Sequence, residues 1–198
     1  PAQVEDVKAA VRFFRAKAKE FNIDPDRIGA WGDSVGGYLA TMLGLTDKKD
    51  NLEGNGGNPD YSSKVQAVVN YYGGADLRTW KLDALGDVAI RLGFNGKDLN
   101  GVIKDFVGTA DRNDPITKRA TAATYADPKD PPILTIHGTL DILVPIDEGR
   151  RFHEALKKAG VDSTLVEMPG ANHGFKGADR AKAEKLLLEF FERHLMKR

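Results

Sequence analysis

The stretch Arg27-Ile28-Gly29-Ala30-Trp31-Gly32-Asp33-Ser34-Val35-Gly36-Gly37-Tyr38-Leu39-Ala40-Thr41-Met42-Leu43 decides the fold. Residues 27–32 are short and mostly apolar, the pattern of a buried strand. From Val35 onward the small residues Gly36, Gly37 and Ala40 begin a helix that can pack closely. Between strand and helix lies Gly32-Asp33-Ser34-Val35-Gly36, a match to G-x-S-x-G. In that setting the chain must turn sharply, which holds the serine in a strained conformation and lifts its hydroxyl over the sheet edge. The flanking glycines are expected because a Cβ there would meet the neighbouring strand and helix. The helix N-terminus beneath the serine favours developing negative charge. The alternative is a tight turn with an incidental serine.

Working outward, Val4, Val7, Val11, Phe14, Ala18 and Phe21 recur at three- and four-residue steps, one apolar stripe of an amphipathic helix. Asn22 and Pro25 end it. Residues 47–60 are charged and glycine-rich, a solvated loop. Their spacing does not match an EF-hand, so no metal is expected there. Residues 64–72 read as a strand and residues 74–130 as an irregular insert with short helices near 83–92 and 99–107. Then come a strand at 133–137, a helix at about 147–159 stopped by Gly160, a strand at 163–168 and a helix at about 178–196 burying Leu186, Leu187, Phe190, Phe191 and Leu195. The order α-β-α-β-insert-β-α-β-α predicts an α/β fold, a mostly parallel sheet covered on both faces. The chain reads as a single domain over 1–198, with the insert at 74–130 as a small cap.

A serine hydroxyl is a poor nucleophile without a base. In a G-x-S-x-G fold the acid and then the histidine follow the serine in chain order. Of the four histidines, His153 and His194 fall in helices, on solvated faces, and His137 ends a strand as a structural residue near the site. His173, in Gly170-Ala171-Asn172-His173-Gly174-Phe175, follows the last strand and is the expected base. Asp141 follows the 133–137 strand at its C-terminal end, where such sheets place their sites. Asp147 is better used as a helix N-cap. Asp127 and Asp130 precede the strand, at the wrong end. Asp33, beside the serine, stabilises the turn. Catalytic Ser34, Asp141 and His173, with the Val35 N–H as an oxyanion donor, are the expected site. Tyr72, Trp80 and Phe175 are candidate substrate-binding residues, though each could equally be core.

Lys+Arg and Asp+Glu both total 29, and there is no cysteine. Zero net charge gives no electrostatic case for nucleic acid. No apolar run is long enough for a membrane span. Without cysteine there are no disulfides, no thiol nucleophile and no thiolate metal site. The opening Pro1–Asp6 is not a signal peptide. The compartment, secreted or cytoplasmic, stays open.

The set G-D-S-V-G-G, H-G-T-x-D-x-x-V-P and N-H-G-F resembles the esterase/lipase branch of the α/β-hydrolase superfamily, and within it bacterial feruloyl/acetyl-esterase-like proteins. Residues 51–60 and 65–77 resemble that group as well, so the likeness runs from about residue 4 to 195. It implies a serine carboxylic ester hydrolase acting through an acyl-enzyme on short-acyl or aryl esters, free or polysaccharide-linked, without metal or organic cofactor. A peptidase or amidase of the same fold and a non-catalytic binding module are the alternatives. Members of the group open with several strands and a His-Gly-Gly-type loop that donates a second oxyanion N–H. This chain has neither, and by usual domain size about 80–100 residues are wanting. A missing N-terminal segment, a partner chain carrying it, or a minimal hydrolase with another donor would each explain this, the first being the preferred reading. An uncovered edge strand would invite self-association.

Overall fold

The computed structural model describes residues 2–196. Helix α1 (Ala2–Ala16) and the short α2 (Ala18–Phe21) lead into strand β1 (Gly29–Asp33), which turns at Ser34 into α3 (Val35–Leu45). Strand β2 (Ala67–Tyr71) follows a long loop. The insert contributes α4 (Ala84–Gly93), α5 (Leu99–Val107) and α6 (Pro115–Arg119). Strand β3 (Ile133–Gly138), α7 (Ile146–Lys158), β4 (Ser163–Met168) and α8 (Gly177–Leu195) complete the chain. The four strands form one parallel sheet in the order β1-β2-β3-β4.

Strand alternation splits the core in two. Ala30, Val68 and Ile133 face α1, α3 and α7, where Val4, Val11, Met42, Phe152 and Leu156 close the layer. Val69, Leu134 and Ile136 face the other way, onto Ala183 and Phe190 of α8. Central strands β2 and β3 are buried along their whole length, as expected of parallel strands covered on both faces. In α8, Leu186, Leu187, Phe191 and Leu195 are only partly buried. A third apolar cluster, Leu77, Ile90, Leu99, Ile103 and Val107, belongs to the insert.

The stripe on the first helices divides. Val4, Val11 and Ala18 are buried, but Phe14 and Phe21 stay 46% and 45% exposed. Their rings meet edge to face at 5.4 Å instead of entering the core. Phe14 lines an apolar groove of about 760 Å³ alongside β1, an edge strand, together with Ile23, Ile28, Trp31 and Leu195. An amphipathic pattern reports that a face is apolar, not what covers it.

The 47–60 stretch is a loop, yet it is not simply solvated. Leu52 is buried, and Glu53 turns inward to two cations of α1. Lys8 is fully buried and donates to Glu53 Oε1 at 2.9 Å, Thr46 O at 3.0 Å and Ser63 Oγ at 3.2 Å. Arg12, also buried, donates to Glu53 Oε2 at 2.8 Å and to the carbonyls of Glu53, Gly56 and Gly57. Burial opposes ionisation of Glu53, but the hydrogen bonds from Lys8 and Ser63 and the charges of Lys8 and Arg12 outweigh it and hold the carboxyl below its usual range. Removing one partner of a buried pair leaves the other charge uncompensated. Glu53→Gln is therefore expected to cost roughly 3 kcal/mol of unfolding free energy at pH 7, read by urea denaturation. Because the folded carboxyl is depressed, the wild-type advantage is full above the unfolded value of about 4.3 and shrinks as pH falls through the folded one. A cost that persists unchanged well below that range would remove ion pairing as its source.

Candidate active site

Every expected site residue but Trp80 lies on or just past the C-terminal end of a sheet strand, where parallel strands leave their loops open. Ser34 joins β1 to α3 with φ 53° and ψ −120°, a strained conformation for a residue with a side chain. Its backbone N–H is anchored on Tyr71 O at 2.9 Å. The steric demand for glycine falls on two positions. A Cβ on Gly32 would sit 2.3 Å from the Gly36 backbone, and one on Gly37 would sit 2.2 Å from Asn70 Oδ1. Gly36, expected from the motif to be crowded too, has nothing nearer than 3.9 Å. It is the close approach of the helix to Gly32 and of β2 to Gly37 that makes the turn possible.

Asp141, Ser34 and His173 come together from three segments. His173 Nε2 lies 3.0 Å from Ser34 Oγ, and its Nδ1 lies 2.8 Å from Asp141 Oδ2. A carboxylate can only accept, so Nδ1 carries the ring proton and Nε2 is left to accept from the serine hydroxyl. Asp141 Oδ1 accepts the N–H groups of Leu143 and Val144 at 2.9 and 2.8 Å, which closes the turn that carries the acid. Burial would push this carboxyl up, but hydrogen bonds from His137 and His173, the charge of His173 and the Val144 N–H bring it down to about 2. Asp141 therefore stays ionised across the working pH range, as an acid that orients a histidine must.

The loops carrying Asp141 and His173 are laced together. Leu140 N–H donates to Ala171 O, Gly170 N–H to Thr139 Oγ1, and Asn172 Oδ1 accepts from Ile142 N–H at 3.3 Å. Asn172 was not among the expected site residues; the sequence cue was its place before His173 in the N-H-G-F motif. A Cβ on Gly138 would lie 2.3 Å from Ala171 O, so the two loops abut only because that residue is glycine.

The three candidate substrate-binding residues part company. Trp80 lines a cavity of about 390 Å³ that opens beside Ser34 and His173, and its indole N–H donates to Leu143 O at 2.9 Å. Tyr72 and Phe175 are buried behind the imidazole: the Tyr72 ring lies 4.7 Å from both the His173 and the Phe175 rings. They back the histidine and leave the cavity wall to others. Tyr72 holds a left-handed φ of 42°, another strained residue beside the site. Burial, with the Asp33 charge, pushes its phenol up to about 12. It stays protonated and donates to Asp33 Oδ2 at 3.4 Å. The rest of the cavity wall is mostly apolar, dominated by Leu77, Ile90, Ile103, Phe106 and Leu143, with Gln3 and Asp105 also on it.

The rejected residues have defined places. Asp147 is not the N-cap of α7: Pro145 caps that helix, and Asp147, in its first turn, pairs with Arg150. His153 is half-buried against Ser163 Oγ at 2.9 Å, and His194 packs on Phe190 at 4.5 Å. Neither is simply solvated. Among the described residues, no group of three or more His, Asp or Glu side chains could share a metal ion, and no helix is long and apolar enough to cross a membrane.

A serine on a tight turn after a parallel strand, an acid and a histidine on loops after later strands, and an open sheet edge above them define an α/β-hydrolase. The BD-FAE family model matches residues 1–156. The chain belongs to the BD-FAE family. Esterase LipC of Mycobacterium tuberculosis is 31% identical over 184 residues, which is 92% of this chain and 43% of LipC. A truncated carbohydrate esterase from gut microbiota superposes with a TM-score of 0.78 at 28% identity, over all of this chain and 70% of that one. A bifunctional GH43-CE protein of Bacteroides eggerthii gives 0.79 at 33% identity, over 98% of this chain and 27% of that one. The chain thus spans less than half the length of the curated relative it matches.

Proposed function

We propose that this chain carries the catalytic residues of a serine carboxylic ester hydrolase. The observation that carries the reading is the hydrogen-bonded line from Ser34 Oγ through His173 to Asp141, open to an apolar cavity. Ser34 Oγ attacks the acyl carbonyl while His173 Nε2 takes its proton. The negative charge that forms on the carbonyl oxygen is met by the N–H of Val35, the first residue of α3, which has no acceptor within its helix. The tetrahedral intermediate collapses as His173 returns the proton to the departing alcohol. Water, activated by the same nitrogen, then releases the acid and restores Ser34. Asp141 holds the ring tautomer and stabilises the imidazolium in both halves.

For the substrate, the favoured class is short-acyl or aryl esters, of the acetyl or feruloyl type. The apolar wall around Trp80 suits an aliphatic or aromatic acyl group, and the similarity to a carbohydrate esterase favours an alcohol partner on a sugar. Hydrolysis of p-nitrophenyl acetate and butyrate, methyl ferulate and an aminoacyl p-nitroanilide, run side by side, tests the reading. Turnover of the esters with little or none of the anilide is the expected result. A preference for the anilide would replace it with an amidase, and inertness toward all four, with no labelling by a fluorophosphonate, would count against a working active site in this chain.

A further inference from the structure

We propose that His137 is a positioning residue for the acid of the triad, a role that rests on the hydrolase reading above. His137 lies one residue from the end of β3 and is fully buried. Its Nε2 is 2.7 Å from Val144 O and 3.5 Å from Asp141 Oδ2. A carbonyl only accepts, so Nε2 bears the hydrogen and donates it to Val144 O, with the Asp141 carboxylate 3.5 Å from the same nitrogen. The oxygen it faces, Oδ2, is the one that receives His173 Nδ1–H. The other oxygen, Oδ1, is occupied by the N–H groups of Leu143 and Val144. His137 thus holds the end of the 141–144 turn through the Val144 carbonyl and sets its N–H dipole beside the carboxylate at the start. Val144 and Leu143 also line the cavity, so the same contact sets the wall beside the reacting acyl group.

The room for this ring is made on purpose. A Cβ on Gly149 of α7 would come within 2.6 Å of His137 Nδ1, so only glycine lets the helix pass. Among the described residues Nδ1 finds no hydrogen-bond partner, which is a costly way to fill a core position unless the other nitrogen is needed. A leucine would fill β3 without leaving an orphaned acceptor. The charged and titratable groups around the ring are Asp141 on its own loop, His173 beyond the carboxylate, Glu167 paired across from it on β4, and Glu148 beside Gly149 on α7.

The test uses His137→Leu and His137→Gln in the full chain, beside wild type. Glutamine places an N–H near the reach of Nε2; leucine does not. His137→Leu is expected to lower kcat by up to roughly 10²-fold with KM little changed, the effect of a small misplacement of a catalytic group. With the neighbouring N–H dipole gone, Asp141 becomes a stronger partner for the His173 cation, so the acid limb of the kcat/KM profile should move to higher pH. His137→Gln should restore most of the rate and return the limb toward wild type. A separate readout needs no turnover: the low-field proton NMR resonance of the Asp141–His173 hydrogen bond should be present in wild type and His137→Gln and displaced or lost in His137→Leu. Equal loss of rate and melting temperature in both variants, or a wild-type pH profile and proton resonance in His137→Leu, would overturn the proposal. Absence of ester turnover in wild type would count against the hydrolase reading, while the NMR signal would still decide the role of His137.

Discussion

Ser34→Ala is expected to reduce kcat toward p-nitrophenyl esters by about 10⁴-fold or more, with folding intact. On the proposed mechanism the residue contributes its oxygen to the reaction, and it contributes little to packing, because the hydroxyl faces His173 and the open cavity. What remains after its removal is catalysis by binding and by the oxyanion donor alone. Labelling by a fluorophosphonate should vanish with it, since the probe needs the same activated oxygen. His173→Ala should fall to a similar floor, and the double variant no lower, because the two act as one unit. Losses that instead multiply would mean they work separately, and substantial residual turnover in Ser34→Ala would place the nucleophile elsewhere. The strained backbone adds a second arm. At φ 53° and ψ −120° a side chain costs about 1–3 kcal/mol, and glycine escapes much of that. Ser34→Gly is therefore expected to be as inactive as Ser34→Ala yet to melt higher, a stability gained by giving up the nucleophile. An equal or lower melting temperature for Ser34→Gly would show that the turn is not under strain.

What the sequence disclosed about this site is what short-range chemistry encodes. The Gly32–Gly37 turn announces itself because the strand before it, the helix after it and the missing side chains are neighbours in the chain. The placement of Asp141 and His173 beside Ser34 was legible because each sits a few residues beyond an apolar strand, and in a parallel sheet all such positions converge on one edge. Distant pairing was not legible. Lys8 and Arg12 look like solvated charges of an amphipathic helix, yet both are buried by Glu53, 45 and 41 residues along the chain. Tyr72 and Phe175 have the composition of pocket walls, and only the three-dimensional path shows them packed edge to face, with Tyr72 against His173. Phe14 and Phe21 read as core because periodicity cannot distinguish a covered apolar face from an open one. His137 was read as structural, which its burial suits, but its pairing with the Val144 carbonyl depends on the course of the next loop.

Asp141→Asn carries the second large effect, through the tautomer and not through shape. The side chains have nearly the same volume, so the turn that ends at Val144 can keep its form through the amide oxygen. An amide nitrogen facing His173 Nδ1, however, donates where the carboxylate accepts. The ring would then carry its proton on Nε2, facing Ser34, and could not take the serine proton. A loss of about 10⁴-fold in kcat is expected, with KM nearly unchanged. Stability gives an independent check with a definite sign. The folded carboxyl is depressed to about 2, so ionised Asp141 favours the folded state at every pH above its unfolded value of about 3.9. That contribution should fade as pH falls from about 4 toward 2. The wild type should therefore unfold at higher urea than Asp141→Asn near neutrality, and the two curves should converge at the acid end. Convergence would tie the cost to the lost charge; a gap that stays constant with pH would tie it to packing. If Asp141→Asn turned over esters at near the wild-type rate, Asp141 could not be the group that orients His173, and the acid would have to be sought elsewhere on the same sheet edge.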